Sequence, residues 1–161
     1  MKLTTIGEHN MTNNMDAATI GLLTEEGRER AGSNGEYQRL ETVLIIEDHA
    51  DLNRALTFRL QHAGLNVACA YDGLAGLEKI RHLAPDVIVL DIHLPRLHGF
   101  KLLHRLRQEP NLRDAPIIAI TGDPTLEVEE RALRWGVKRV FRKPVSASEL
   151  VSSVIDLIGG Y

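Results

Sequence analysis

Five polar side chains stand directly after short apolar runs of the sequence, and three of them are carboxylates. The five residues are Glu47, Asp48, Asp91, Thr121 and Lys143. Three carboxylates brought together repel by about 4 kcal/mol per pair when the charges lie ~4 Å apart in an effective dielectric of ~20. Lys143 supplies one offsetting charge, and a hard divalent ion such as Mg²⁺ suits carboxylate, carbonyl and water ligands.

A carboxylate that lies beside a divalent ion, a lysine and a hydroxyl is equipped to capture a phosphoryl group. The carboxylate is the nucleophile and forms an acyl phosphate, while the ion and Lys143 neutralise the phosphoryl oxygens. Thr121 would donate a hydrogen bond to one of these oxygens. The pattern therefore predicts a phosphoryl acceptor that depends on a divalent ion.

Each of these residues also has an ordinary structural explanation when it is taken alone. Asp48 would serve as the N-cap of a following helix, and Asp91 and Thr121 would lie in turns. Lys143 would then be a solvated surface charge. The fit of all five residues to one site favours the functional interpretation.

The residues from Thr42 onwards form β-branched apolar runs that alternate with segments of helical periodicity. The predicted strands cover residues 42–46, 67–71, 87–90, 116–120 and 137–141. Five strands that alternate with five helices are typical of βαβ units, which predicts an α/β fold with a doubly wound parallel sheet. Ligands of such sheets bind at the carboxyl ends of the strands, where the five polar residues stand.

The first 41 residues differ in composition from the rest of the chain. They carry seven acidic against four basic side chains, whereas acids and bases balance from Thr42 onwards. Their apolar residues are few and are separated by glycines and polar runs, so they cannot form a core of their own. We therefore expect residues 1–41 to be a disordered acidic extension and residues 42–161 to be the folded domain.

The overall composition excludes several classes of protein. Hydrophobic residues make up 43% of the chain and Cys69 is its one cysteine, which excludes a wholly disordered or disulfide-stapled protein. The sequence has neither an apolar run of the ~20 residues that a membrane span needs nor a secretory signal. A net charge of −3 without a basic stripe gives no reason to expect nucleic acid or an anionic membrane as a partner. We expect a cytoplasmic protein.

The segment from Asp91 to Gly99 and the separations between the five polar residues resemble the receiver domain of two-component response regulators. The resemblance covers residues 42–158, and Pro95 and Gly99 follow Asp91 in the register of that family. It implies a flavodoxin-like sheet of five parallel strands in the order 2-1-3-4-5.

The same resemblance assigns roles around the acceptor. Asp91 is the residue that receives the phosphoryl group, and Mg²⁺ is the cofactor. Asp48 is a direct ligand of Mg²⁺, together with Asp91, and Glu47 binds the ion through water. His93 offers its backbone carbonyl to the same ion.

The remaining roles concern the switch that follows phosphorylation. Thr121 is the switch hydroxyl, Lys143 contacts the phosphoryl group, and the bond between Lys143 and Pro144 is expected to be cis. The chain departs from the family at Val140, where an aromatic residue is usual. Trp135 would supply aromatic surface near the same face or serve only in packing.

The resemblance implies a regulatory module and not an enzyme. It would accept a phosphoryl group on Asp91 from a histidine kinase or a histidine phosphotransfer protein and change its affinity for a partner. Because the sequence ends soon after the last predicted helix, we expect a stand-alone receiver whose output protein acts in trans, without nucleic acid or membrane. One alternative is a receiver-like interaction module that is never phosphorylated. Another is a phosphohydrolase with an Asp nucleophile, although such enzymes usually carry a second acid where this chain has His93.

Overall fold

The computed structural model describes residues 29–31, 37–109, 115–123 and 125–159. The strands within them are β1 (Glu29–Ala31), β2 (Tyr37–Arg39), β3 (Thr42–Ile46), β4 (Asn66–Ala70), β5 (Val87–Asp91), β6 (Ile117–Thr121) and β7 (Arg139–Arg142). The helices are α1 (Ala50–His62), α2 (Gly73–Leu83), α3 (Gly99–Gln108), α4 (Leu126–Arg134) and α5 (Ala147–Gly159). Among the described residues, no helix is long and apolar enough to cross a bilayer.

The main sheet has five parallel strands in the order β4-β3-β5-β6-β7. Counted from β3 as the first strand, this is the predicted order 2-1-3-4-5, so the fold class is confirmed. The register pairs Ile46 with Leu90 and Asp91 with Ile120, which brings the carboxyl ends of the central strands to one edge of the sheet. That edge is where the candidate residues of the sequence meet.

The central strands β3, β5 and β6 are buried along their whole length. Alternate residues of each strand point to opposite faces, and a strand covered on both faces needs apolar residues throughout. Leu44 and Ile88 pack on one face with α2, α3 and α4. Val43 and Val89 pack on the other face with α1 and α5. The continuous apolar runs of the sequence follow from this double cover.

Polar side chains mark where two of the helices begin. His49 is the N-cap of α1, because its Nδ1 accepts a hydrogen bond from the Leu52 N–H at 3.3 Å. Asp72 caps α2 and accepts from the Leu74 and Ala75 N–H groups at 2.9 Å each. The alternative that Asp48 is a helix cap is therefore wrong, and its carboxylate is left for another role.

The structure corrects the predicted start of the last strand, which we placed at Val137. β7 begins at Arg139, two residues later. The Val137 N–H donates to the Ala132 carbonyl at 3.2 Å and so closes the end of α4. Lys138 is then the first residue whose N–H donates to β6, at 2.8 Å from the Ile117 carbonyl.

Two short strands lie within the segment that we expected to be disordered. β1 and β2 pair with each other in an antiparallel register, with Glu29 opposite Arg39. The other residues of the predicted extension before Gln38, 1–28 and 32–36, lie outside the described residues. The pair is a regular element that the composition of the segment did not predict, and the domain boundary at residue 42 stays a prediction.

Candidate functional site

The candidate site lies at the carboxyl edge of the sheet, where four strands end side by side. Glu47 and Asp48 follow β3, and Asp91 is the last residue of β5. Thr121 is the last residue of β6, and Lys143 follows β7. The parallel register therefore collects residues that are far apart in the sequence.

Three carboxylates form a compact cluster at this edge. Oxygen atoms of Glu47, Asp48 and Asp91 all lie within 4.8 Å of one another. The Glu47 side chain is fully buried and Asp91 is 2% exposed, whereas Asp48 is exposed to solvent. The cluster thus has two buried acids and one at its open side.

Lys143 supplies the positive charge in contact with the two buried acids. Its Nζ donates hydrogen bonds to Asp91 Oδ2 at 2.7 Å and to Glu47 Oε1 at 3.0 Å. Burial by itself would lower the pKa of Lys143, but the hydrogen bonds to Asp91 and Glu47 outweigh burial and raise the pKa above its ordinary value. The ammonium is therefore charged at neutral pH.

Glu47 has one carboxylate oxygen that is not satisfied. Burial raises the pKa of Glu47, and the hydrogen bonds from Lys143 and the His49 N–H only partly oppose this effect. Its Oε1 accepts both of these bonds, but the buried Oε2 has no hydrogen-bond partner. Oε2 lies 2.9 Å from Lys143 Nζ, a charge contact whose direction does not form a hydrogen bond.

This donor set fits a hard divalent ion. Apart from its charge contact with Lys143, the buried Oε2 of Glu47 has no hydrogen-bond partner, and a bound cation or water molecule would complete its environment. Two further carboxylates lie beside it. Mg²⁺ prefers oxygen ligands and usually keeps several waters, which the exposed side of Asp48 allows. Glu47, Asp48 and Asp91 are the residues that would hold it. A contribution from the His93 carbonyl stays a prediction.

Asp91 faces an open cavity of about 470 Å³. The lining includes Asp48, His49, Asp91, His93, Asp123 and Lys143. Asp91 Oδ1 accepts a hydrogen bond from the His93 N–H at 2.8 Å, and Oδ2 accepts from Lys143. Both carboxylate oxygens are therefore held in place at the floor of a cavity that is wide enough for a phosphoryl group.

Thr121 stands at the border of the site and not within the carboxylate cluster. Its side chain is buried, and its hydroxyl accepts a hydrogen bond from the Asp123 N–H at 3.0 Å. The Thr121 carbonyl accepts from the Lys143 N–H at 2.8 Å. Among the described residues, its hydroxyl makes no hydrogen bond to the acids. The structure therefore unites Glu47, Asp48, Asp91 and Lys143 and leaves Thr121 beside them.

The structure also locates the residues that surround the predicted switch. The bond between Lys143 and Pro144 is cis, as the resemblance implied. Val140 and Phe141 pack on opposite faces of the sheet. Trp135 ends α4, packs against the same apolar core as Val140, and also lines a groove between α3 and α4. Trp135 therefore lies on the same side of the sheet as Val140, and its part in the switch stays a prediction.

Sequence reasoning missed Asn53, which supports the site from α1. Its side chain is 1% exposed, and its Nδ2 donates to the Glu47 carbonyl at 3.0 Å. This contact fixes the backbone from which Glu47 and Asp48 project. No signal in the sequence separates Asn53 from the other polar residues of α1, because a polar side chain near an apolar stripe is usually exposed.

Comparison with known proteins identifies the type of domain. A family model described as the response regulator receiver domain matches residues 43–155. The match includes every residue of the candidate site.

Curated relatives align over about 70% of this chain. They include hybrid signal transduction histidine kinase D of Dictyostelium discoideum, with 34% identity over 72% of this chain and 7% of that protein. The probable transcriptional regulatory protein TcrX of Mycobacterium tuberculosis has 34% identity over 68% of this chain and 46% of that protein. The response regulator ArlR of Staphylococcus haemolyticus has 33% identity over 71% of this chain and 51% of that protein. The chain spans about half the length of these two regulators and a small part of the kinase.

Solved structures agree with the fold. The receiver domain of Francisella response regulator 1452 superimposes with a TM-score of 0.70 at 28% identity, covering 74% of this chain and 97% of that chain. A putative response regulator from Chloroflexus aurantiacus gives a TM-score of 0.71 at 28% identity, covering 75% of this chain and 99% of that chain.

Proposed function

Because the chain belongs to the response regulator receiver family, we propose that Asp91 accepts a phosphoryl group from a phosphohistidine and that this modification changes the affinity of the domain for a partner. The donor would be a histidine kinase or a histidine phosphotransfer protein. The observation that carries the proposal is the Asp91 carboxylate, which is held between Lys143 and the His93 N–H at the floor of an open cavity.

The transfer forms one bond and breaks one bond. A carboxylate oxygen of Asp91 attacks phosphorus, the new O–P bond forms, and the P–N bond to the donor histidine breaks with its electron pair on nitrogen. Lys143 neutralises charge on the carboxylate and on the phosphoryl oxygens as they approach. Glu47, Asp48 and Asp91 would hold Mg²⁺, which would supply further positive charge at the same oxygens.

The neighbouring residues hold this arrangement in place before the donor arrives. The His49 N–H and the Asn53 amide fix Glu47 by its carboxylate and its backbone carbonyl. Lys143 spans from Glu47 to Asp91, so the acceptor does not need to reorganise. The Thr121 hydroxyl oxygen accepts a hydrogen bond from the Asp123 N–H. We propose that the hydroxyl proton is donated to a phosphoryl oxygen.

The proposed output surface is formed by α4, β7 and α5. It contains a cavity of about 680 Å³ whose lining includes Glu129, Leu133, Val140 and Phe141. Leu133 is 47% exposed there, and Arg142 joins β7 to α4 through an ion pair with Glu129 at 2.9 Å. Movement of Thr121 and Lys143 towards the phosphoryl group would repack this surface, and a partner in trans would favour one of the two forms.

The identity of the output partner is a separate question. One relative, RpaA of Synechocystis, is named a DNA-binding dual master transcriptional regulator, and the chain spans 48% of its length. The expectation that this protein binds no nucleic acid is therefore not supported by the comparisons. Action in the cytoplasm and the stand-alone state remain proposals.

The decisive experiment is incubation with acetyl phosphate and Mg²⁺, followed by measurement of the intact mass. We expect the mass of the wild type to rise by one phosphoryl group and the mass of Asp91→Asn to stay unchanged. Asp51→Asn, which alters an exposed acid of α1, is the matched control and should be modified like the wild type. Excess EDTA should prevent the modification. Modification of Asp91→Asn would overturn the proposal, and a wild type that is never modified would favour the constitutive interaction module.

A further inference from the structure

A second cavity of about 390 Å³ lies in the groove between α3 and α4. Its inner wall includes Phe100 and Trp135, and its edge includes Lys101, His104, Arg105 and Arg131. Phe100 is 7% exposed and Trp135 is half-buried, whereas the four edge residues are exposed. The groove therefore offers an aromatic floor with a basic rim. None of these residues lines the acceptor cavity or the cavity between α4, β7 and α5.

The groove is held open by contacts between its own walls. Arg107 of α3 donates hydrogen bonds to the carbonyls of Trp135 at 2.9 Å and Gly136 at 3.2 Å, so it ties α3 to the end of α4. The guanidinium carbon of Arg131 lies 4.1 Å from the centroid of the Phe100 ring. The two helices are thus fixed at both ends of the groove. A ligand would meet a preformed surface, which lowers the entropic cost of binding.

The charges on the rim select the kind of ligand. Lys101, Arg105 and Arg131 form no ion pair with any carboxylate of the described residues. Of the described residues that line the groove, none is acidic. A complementary ligand therefore carries carboxylates at its ends and apolar side chains between them.

We propose that residues 16–26 of this same chain bind in the groove. This segment has Asp16 at its start and Glu25 and Glu26 at its end, and it has no basic residue. Ile20, Leu22 and Leu23 lie between the acids. The order of acidic, apolar and acidic residues matches a basic rim on either side of an aromatic floor.

The chain between the segment and the domain is long enough for this contact. Glu29 lies opposite Arg39 in the pair of β1 and β2, so residue 26 and Thr42 are each only three residues along the chain from this pair. Six residues extend about 20 Å, and a strand spacing adds ~5 Å. Each helix runs from the carboxyl edge of the sheet back to the amino edge, so Arg105 and Trp135 lie towards the edge where Thr42 begins. Two or three strand spacings and one layer of helix packing separate Thr42 from the groove, which is a distance of about 20 Å. The connection is therefore long enough to reach it.

Tethering makes a weak contact sufficient. A connection this short gives the segment an effective concentration of roughly millimolar at the groove. An affinity too weak to measure between separate molecules would then keep the groove occupied. The consequence is that the acidic segment and any external ligand of the groove compete for the same basic and aromatic side chains.

Trp135 provides the readout, because it is the one tryptophan of the chain. We propose to compare the full-length wild type with the full-length double variant Leu22→Asp, Leu23→Asp by quenching Trp135 fluorescence with acrylamide. We expect the quenching constant of the double variant to be about twice that of the wild type, with emission shifted to the red. Leu3→Asp, in the same terminal region, is the matched control and should behave like the wild type. Circular dichroism should show the same folded domain in all three proteins.

Two further arms separate this proposal from other occupants of the groove. A peptide of residues 16–26, added in excess to the double variant, should restore the protection of Trp135, and 1 M salt should weaken this effect. Equal quenching of the wild type and the double variant would overturn the proposal. Protection that disappears on dilution of the wild type would also overturn it, because it would indicate a second copy of the chain as the occupant.

Discussion

Lys143 contacts two carboxylates that come from different strands, and its removal should therefore destabilise the domain. In Lys143→Met, Glu47 and Asp91 keep their burial but lose the charge between them. Breaking a buried pair costs 3–5 kcal/mol, and because the Lys143 side chain is 28% exposed we expect a loss of about 2–3 kcal/mol at pH 7. Urea denaturation measures this loss.

Two variants test the cause of that loss. Lys138→Met removes an exposed lysine at the other end of β7 and should change stability by less than about 0.5 kcal/mol. Adding Glu47→Gln to Lys143→Met should restore part of the lost stability, because it removes one of the two unpaired acids. If Lys143→Met unfolds at the urea concentration of the wild type, Lys143 does not hold the acids together.

His98 should make stability depend on pH between pH 7 and pH 5. Burial lowers the pKa of His98, and the nearby charges of His93 and Arg131 lower it further. The unfolded chain takes up a proton near the ordinary pKa of 6.5, while folded His98 stays neutral to a lower pH. The unfolded state therefore binds more protons in this interval, and stability falls as the pH is lowered through 6.5 towards the folded pKa.

His98→Asn should flatten this dependence. Asparagine keeps an oxygen that can accept from the Phe100 N–H, as His98 Nδ1 does at 3.4 Å, so the cap of α3 is preserved. The free energy of unfolding should be measured at intervals from pH 7 to pH 5. His82→Asn, at an exposed position of α2, is the control and should retain the slope of the wild type. Equal slopes for His98→Asn and the wild type would contradict the assignment.

The residues of the site could be predicted from the sequence because parallel strands end at one edge. Glu47, Asp48, Asp91 and Lys143 all follow apolar runs, and the structure brings them together. Asn53 could not be predicted, because its role depends on a contact with a carbonyl six residues earlier in the chain. Trp135 packs on the side of the sheet that we expected, but the groove between α3 and α4 that it also lines could not be predicted, because it depends on how the two helices pack.

At the scale of elements, α2 is pressed against the loop that follows β5. A Cβ atom on Gly73, the first residue of α2, would lie 1.9 Å from the Leu97 carbonyl oxygen. Gly73→Ala favours a helix by up to about 1 kcal/mol, yet the clash with backbone should dominate and cost at least ~2 kcal/mol. We expect the melting temperature to fall by about 8 °C or more.

Gly122→Ala is the matched control for this substitution. A Cβ at Gly122 meets nothing within 4 Å, and the backbone there is not in the left-handed region. Its melting temperature should stay within about 2 °C of the wild type. A Gly73→Ala protein that melts at or above the wild-type temperature would show that α2 and the loop can separate without cost.

The elements themselves were predictable to within a few residues. The strands were recognised because burial on both faces demands continuous apolar runs. The start of β7 was predicted two residues too early, because Val137 is apolar like a strand residue. Its N–H instead donates to a carbonyl of α4 and closes the end of that helix. β1 and β2 were missed because they pair only with each other and carry no apolar pattern.

At the scale of the whole molecule, the domain should fold and accept a phosphoryl group without the first 37 residues of the chain. Both apolar cores consist of residues from Val43 to Ile158, and the site uses none before Glu47. A chain that begins at Gln38 should melt within about 5 °C of the full chain and be modified by acetyl phosphate at the same rate. Contact of residues 16–26 with the distant groove would change neither result much. A large loss in either measurement would show that the first residues belong to the domain.

The position of Lys143 in the sequence also determines when the candidate site can form during synthesis of the chain. Lys143 follows β7, an edge strand with neighbours on one side only, and it reaches back 96 residues to Glu47 and 52 residues to Asp91. A nascent chain that ends before β7 already contains Asp91, the proposed acceptor, and the neighbouring acids Glu47 and Asp48, but it has no Lys143 to hold them. Edge strands also open locally more easily than the centre of a sheet. The proposed acceptor site is therefore complete only when β7 has joined the sheet, and it is disrupted whenever β7 opens.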